Sequence, residues 1–212
     1  MRVIAGRFKG VALATPKTGT RPTTDRTKEA LFSRLESWGV LDGARVLDLF
    51  AGTGALGIEA LSRGARDLVA VESSKPAAAL IVKTLAQLKR NRSWSADISA
   101  RVLIRRAEAF AASGAAAHPF DLIFIDPPYA FETAACDSLL VDLTSGGLTG
   151  AGTVIVLERS ARSDDPTPPA GWEITDHHDY GETAVFAIEP IVGEDNAEDA
   201  AGGGDAEHGP LR

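Results

Sequence analysis

The feature that most restricts the fold is a glycine-punctuated turn set between an apolar run and a helical pattern. Val46-Leu47-Asp48-Leu49-Phe50-Ala51 leads into Gly52-Thr53-Gly54-Ala55-Leu56-Gly57, a G-x-G-x-x-G spacing. Residues without a Cβ let the backbone turn sharply and approach a ligand, and the helix start behind them offers free N–H donors. Such a turn belongs to a parallel strand–turn–helix unit.

The rest of the chain repeats that alternation. Strands are expected over 45–49, 68–72, 101–105, 122–125 and 153–158, and helices over 55–63, 75–89, 108–112 and 132–143. The second helix is the clearest, with Ser74 as its cap, Pro76 in its first turn, and Ala77, Leu80, Ile81, Thr84, Leu85 and Leu88 on one face. Nearly continuous apolar strands between helices require a mostly parallel sheet covered on both faces, a Rossmann-like α/β fold. Two later runs, 172–176 and 183–189, are joined by His177-His178-Asp179-Tyr180-Gly181-Glu182 and predict an antiparallel pair ending the sheet. Residues 1–20 have the pattern of a hairpin, and 25–38 that of a helix.

Charge divides the chain further. The net charge of −7 hides a front, residues 1–34, with eight Lys/Arg against Asp25 and Glu29, while residues 190–212 hold six acids against Arg212. We therefore expect a basic N-terminal hairpin extension (1–24), an α/β domain (25–189) and an acidic, disordered, solubilising tail (190–212). A basic front on an acidic body suits a local polyanion contact, which the sequence assigns to Arg2, Arg7, Lys9, Arg21, Arg26 and Lys28. No apolar run approaches membrane-spanning length, and the first residues lack a signal-peptide apolar region. The lone Cys136 cannot form an internal disulfide, so a cytoplasmic location is expected. His177 and His178 have no Cys or His at ligand spacing, so no metal is expected; nor does any feature call for more than a monomer.

Two groups bear on the cofactor. Glu72 ends the second strand, twenty residues after Gly52, where a carboxylate can accept hydrogen bonds from ribose hydroxyls. Asp48 lies four residues before Gly52, facing the same pocket. A carboxylate there repels a pyrophosphate and attracts an ammonium. S-adenosylmethionine, with an α-ammonium, a ribose and no phosphate, fits better than NAD.

A second motif, Asp126-Pro127-Pro128-Tyr129, follows the fourth strand-like run, 122–125. Two prolines end the ladder and stiffen the backbone at the edge where parallel sheets bind ligands. The motif offers a carboxylate, an aromatic face, and a Pro127 carbonyl that no following N–H shields. Together these suit a nucleobase exocyclic amine: the ring stacks on the base while the two acceptors take its N–H hydrogens. Glu158, ending the fifth strand, either borders this pocket or serves structural hydrogen bonding.

At this point the sequence resembles a known family. Asp48–Gly57, Glu72 and Asp126–Tyr129 are similar to the motifs of class I amino-group methyltransferases with a seven-stranded sheet. Residues 1–10 and the stretch Arg21-Pro-Thr-Thr-Asp-Arg-Thr-Lys-Glu29-Ala-Leu-Phe32 resemble the bacterial 16S rRNA guanine-N2 methyltransferases of the RsmD type, over roughly residues 1–189. The resemblance implies methylation of the exocyclic amine of guanine-966 in 16S rRNA, within the 30S subunit or an assembly intermediate. It implies catalytic roles for Asp126, Pro127 and Tyr129, with Pro128 against the substrate. It also implies a cofactor site of Asp48, Phe50, Gly52, Gly54, Gly57, Glu72 and Ser73. Where many relatives carry an acidic or amide group for the adenine, this chain has Arg106, which cannot accept a hydrogen bond. The expectation therefore shifts to Ala107 and Glu108. Two alternatives stay open: an adenine-N6 methyltransferase, since Asp126–Tyr129 serves either amine, and a non-catalytic RNA-binding or ribosome-assembly module, against which the intact motif argues.

Overall fold

The computed structural model describes residues 1–14, 25–114 and 116–192. Its elements run α1 (Asp25–Ser37), β1 (Arg45–Leu49), α2 (Ala55–Ser62), β2 (Asp67–Glu72), α3 (Lys75–Leu88), β3 (Ser99–Ile104), α4 (Ala107–Ala111), β4 (Leu122–Ile125), α5 (Thr133–Ser145), β5 (Val154–Ser160), β6 (Trp172–Tyr180) and β7 (Thr183–Pro190). The seven strands form one sheet in the order β3-β2-β1-β4-β5-β7-β6. Strands β1 to β5 are parallel, and β7 runs antiparallel to both β5 and β6.

Side-chain alternation builds a core on each side. Val46, Ala70, Phe124 and Val156 face α1, α2 and α3, whereas Leu47, Val69, Ile123 and Ile155 face α4 and α5. The capped helix forms, the Ser74 side chain accepting from the Ala77 amide; Ile81, Thr84, Leu85 and Leu88 are buried as expected, but Ala78 rather than Ala77 and Leu80, which are half-buried, completes that face.

The terminal pair differs in extent from expectation. His177–Tyr180 continue β6, and only Gly181 and Glu182 turn the chain, with Gly181 at φ +67°. The polar run belongs to an edge strand, which needs no apolar character; β7 lies inside the sheet and is apolar on both faces.

The basic front folds against the body rather than standing apart. Residues 1–14 form a short hairpin, with Leu13 N donating to Met1 O, Val3 N to Val11 O and Gly10 N to Val3 O. Val3, Phe8 and Leu13 are buried in the same core as α1 and α2. Gly6 sits at φ +77° so close to the Ser62 carbonyl that a Cβ would fall 1.9 Å from that oxygen. Residues 15–24 and the tail from 193 onward, including Arg21, lie outside the described residues.

Candidate active site

The strand order reverses between β1 and β4, and a crevice opens beyond the carboxyl ends of strands at such a switch point. Both motifs land there. The Gly52 turn follows β1 and the Asp126–Tyr129 segment follows β4, on either side of a cleft of about 1860 Å³. Phe50 from the first and Phe131 from the second meet edge to face, 5.1 Å between ring centres. Phe50 adopts φ +58°, the one non-glycine in that region among the described residues, a strained conformation held by this packing.

Register explains which acids converge. Asp48 pairs with Ala70 and Phe124, and Phe124 with Val156, so these four share one row and one face. Two residues further along their strands, on that same face, come Glu72, Asp126 and Glu158. All four acids line the cleft.

Their environments differ. Glu72 accepts the Gly52 amide at 2.7 Å with one oxygen and the Ser74 amide at 2.6 Å with the other. Asp48 is buried, accepts the Gly57 amide at 3.0 Å, and has its carboxyl pushed up to about 7, first by burial and then by the charges of Asp126 and Glu72. Asp126 is reachable from the cleft but lies under enough protein to push its carboxyl up to about 6. Glu158 is 3% exposed, and burial, followed by the charges of Asp126 and Asp48, pushes it up to about 8.

Tyr129 is 70% exposed, so its ring face is free to stack. Pro127 is buried beside it, and the loop closes through Phe131 N donating to Pro128 O. Sequence reading missed what holds this loop. Arg159, adjacent to Glu158 and therefore on the opposite face, donates to the Phe131 carbonyl at 2.8 Å and to Thr133 Oγ1 at 3.3 Å. A long-range tie of this kind leaves no local signature in sequence.

Several expected contacts need correction. Gly54 and Gly57 do not reach the cleft; Gly52 does. Gly54, at φ +76°, packs under Ile58 and Ile81, and a Cβ on Gly57 would sit 2.5 Å from Leu68 and 2.9 Å from Asp48 Oδ2. Both let α2 pack closely on the sheet, and the Gly57 amide donates to Asp48 while that of Gly54 donates to the Ala51 carbonyl.

Lys28 is likewise unavailable for phosphate. It is 1% exposed, its ammonium lies 3.1 Å from Glu59 Oε2, and it donates to the Arg2 carbonyl at 3.0 Å. Glu59 also accepts the Ile4 and Ala5 amides and pairs with Arg63, so this buried cluster fastens α1 and the hairpin to α2. A periodic basic helix reads alike whether its lysine is exposed or paired inside.

The remaining basic residues divide. Arg26 lines the cleft, and exposed Arg2 follows Met1, which also lines it. Arg7 and Lys9 flank Phe8, whose amide donates to Ser62 at the far end of α2 and whose ring stacks on Trp94. That places them about 12 Å away, the length of an eight-residue helix.

Ser73, Ala107 and Glu108 line the cleft near Glu72. The Glu108 carboxylate is 2.6 Å from the Arg106 guanidinium, which holds its pKa below the ordinary value. Ala107 opens α4, where its amide has no intrahelical acceptor. No group of three or more metal-ligating side chains occurs among the described residues, and none of their helices is long and apolar enough to cross a membrane.

The donor set fits S-adenosylmethionine. Buried Asp48 can face an ammonium, Glu72 retains lone pairs toward ribose hydroxyls, and the row of acids disfavours a pyrophosphate while accepting a cation.

Comparison with known proteins finds relatives along most of the chain. A family model described as conserved hypothetical protein 95 matches residues 1–189. Ribosomal RNA small subunit methyltransferase D of Escherichia coli is 35% identical over 175 residues, 82% of each chain. The protein of the same name from Haemophilus influenzae is 36% identical over 135 residues, 63% of this chain and 66% of that one. A solved structure of a hypothetical protein from Thermus thermophilus superposes with a TM-score of 0.72 at 32% identity, covering 89% of this chain and 99% of the other.

Proposed function

The chain belongs to the conserved hypothetical protein 95 family, and from that membership we propose that it methylates the exocyclic N2 amine of a guanine in small-subunit ribosomal RNA, using S-adenosylmethionine. Relatives named as small-subunit rRNA methyltransferases support the reaction and the substrate class. The observation that carries the amine is the Asp126–Tyr129 segment, fixed by Arg159 and Phe50 directly across the crevice from the Gly52 turn.

When bound, S-adenosylmethionine supplies an electrophilic methyl carbon on a sulfonium sulfur. The chain supplies the rest. Asp48 orients the cofactor's ammonium, Glu72 its ribose, and the Ala107 amide with Glu108 its adenine. Tyr129 stacks on a base turned out of the RNA, an extrusion that costs a few kcal/mol. Asp126 and the Pro127 carbonyl accept the two amine hydrogens, which draws the nitrogen toward a pyramidal shape and frees its lone pair for in-line attack. Asp126 and the Pro127 carbonyl hold the attacking amine as it takes that methyl group, the electron pair of the broken S–C bond staying with the cofactor's sulfur. The amine proton, acidic only then, passes to Asp126 or solvent. Arg2 and Arg26 hold phosphates at the cleft rim.

The test is a base-resolved methylation assay on small subunits lacking this modification, on naked rRNA and on DNA. N2-methylguanine in the rRNA is expected. N6-methyladenine instead would transfer the assignment to the adenine amine, and no transfer to any of the three would leave only a binding module.

A further inference from the structure

Two buried side-chain atoms have no hydrogen-bond partner among the described residues, Glu158 Oε1 and Arg159 Nε. The rest of the Arg159 guanidinium is engaged with the loop after β4. Glu158 has no such structural task. Leaving a buried carboxyl oxygen without a partner costs about 1–3 kcal/mol. Glu158, moreover, is among the residues lining the cleft in which the target base must sit, with Oε1 itself covered by protein. Its position is defined by register. Ile125 pairs with Leu157 as the last pair of the β4–β5 ladder, so Glu158 on β5 and Asp126, which directly follows β4, each come one residue beyond that pair on adjacent chain segments.

We propose that Glu158 accepts the ring N1–H of the target guanine beside the amine held by Asp126, and thereby selects guanine over adenine. This rests on the reading that Asp126 and Pro127 grip the exocyclic amine. With both amine hydrogens engaged, the next group along the same edge of guanine is N1–H, a donor. The corresponding neighbour of the adenine amine is N1 with a bare lone pair, an acceptor. The Asp126–Tyr129 segment cannot tell these amines apart, because it touches only what they share. A carboxylate one strand over can. Ionised, as it is above about pH 8, it satisfies guanine N1–H, whereas against adenine it sets lone pair against lone pair and leaves a buried charge unmatched; the protonated form would instead donate to adenine N1, so the selection belongs to the carboxylate. The unpartnered oxygen is thus the acceptor that the guanine edge completes.

The decisive comparison uses the full chain, at pH 9, on small subunits reconstituted with rRNA carrying either guanine or 2-aminopurine at the methylated position. 2-Aminopurine keeps the N2 amine but lacks N1–H. The wild-type protein should transfer methyl to 2-aminopurine at least about 100-fold more slowly than to guanine. Glu158→Gln should slow the guanine reaction about 10- to 100-fold and shrink the preference below about tenfold, since an amide can donate to a bare N1. Its affinity for S-adenosylmethionine, read by calorimetry, should stay within about twofold, a result that also shows the variant folded. Equal wild-type rates on the two bases, or a Glu158→Gln variant that keeps the wild-type preference, would overturn the inference while N2-methylguanine formation left the proposed function standing. Absence of N2-methylguanine from the wild-type reaction would remove both.

Discussion

Glu72 holds Gly52 in place: the carboxylate at the end of β2 accepts the amide of the turn after β1 at 2.7 Å, twenty residues away in sequence. The same side chain takes the Ser74 amide at the mouth of α3, so the turn after β1 and the loop before α3 are joined through one carboxylate. Glu72→Ala should therefore weaken S-adenosylmethionine binding by about 1–3 kcal/mol, because both the ribose hydrogen bonds and the order of the loops depend on it. Calorimetry with S-adenosylmethionine and with NAD measures this, and NAD binding in the wild type would contradict the cofactor assignment.

Asp126→Ala should lower the single-turnover rate of methyl transfer by about 2–4 kcal/mol of transition-state stabilisation and leave cofactor affinity nearly intact. Tyr129→Phe should be mild, because stacking persists without the hydroxyl, while Tyr129→Ala should impair both base capture and positioning. A near-wild-type rate for Asp126→Ala would remove that residue from the chemistry.

Lys28 and Glu59 form a buried ion pair, so breaking it should affect stability rather than RNA affinity. Lys28→Met removes one of the two cations on buried Glu59 and leaves Arg63 and the Ile4 and Ala5 amides as its partners, a change that costs about 1.5–3 kcal/mol. Thermal unfolding should show a clear loss. If Lys28→Met instead melted normally and bound RNA weakly, the ammonium would be a phosphate contact after all.

The RNA contact should follow position along α2. Arg2→Ala with Arg26→Ala, at the cleft end, should lower affinity for small subunits and flatten its salt dependence by about 0.7–0.9 of a log unit for each phosphate no longer neutralised. Arg7→Ala with Lys9→Ala, at the opposite end, should do so less. A salt titration of binding that ranks the pairs the other way would move the interface to the hairpin tip.

The acid row makes a prediction about pH. Carboxyls of Asp48, Asp126 and Glu158 lie above their ordinary values in the folded chain, at about 7, 6 and 8. The native state then binds more protons than the unfolded one, so the stability they contribute is fully present below about pH 4 and is lost as pH rises through 6 to 8. Without cofactor, the melting temperature should fall over that interval, and Asp48→Asn should melt higher than wild type at pH 8 while binding S-adenosylmethionine more weakly. A wild-type melting temperature that climbs from pH 6 to 8 would contradict this electrostatic picture.

Local sequence was enough for the strand–turn–helix around Gly52, the proline-stiffened loop at Asp126 and the order of elements. Each depends on near neighbours: apolar periodicity, φ freedom at glycine, the absent N–H of proline. Where a side chain finds its partner is another matter. Lys28 pairs with Glu59, Arg159 with the Phe131 carbonyl, and Gly57 with Asp48. These choices span 31, 28 and 9 residues and depend on how α2 and β5 pack, which a charge count does not contain. Sheet register decided most. Asp48, Glu72, Asp126 and Glu158 come from four different strand ends, and only parallel pairing in step brings them onto one face of one cleft. A one-residue slip of β5 would turn Glu158 to the other face and present Arg159 in its place, because side chains alternate along a strand.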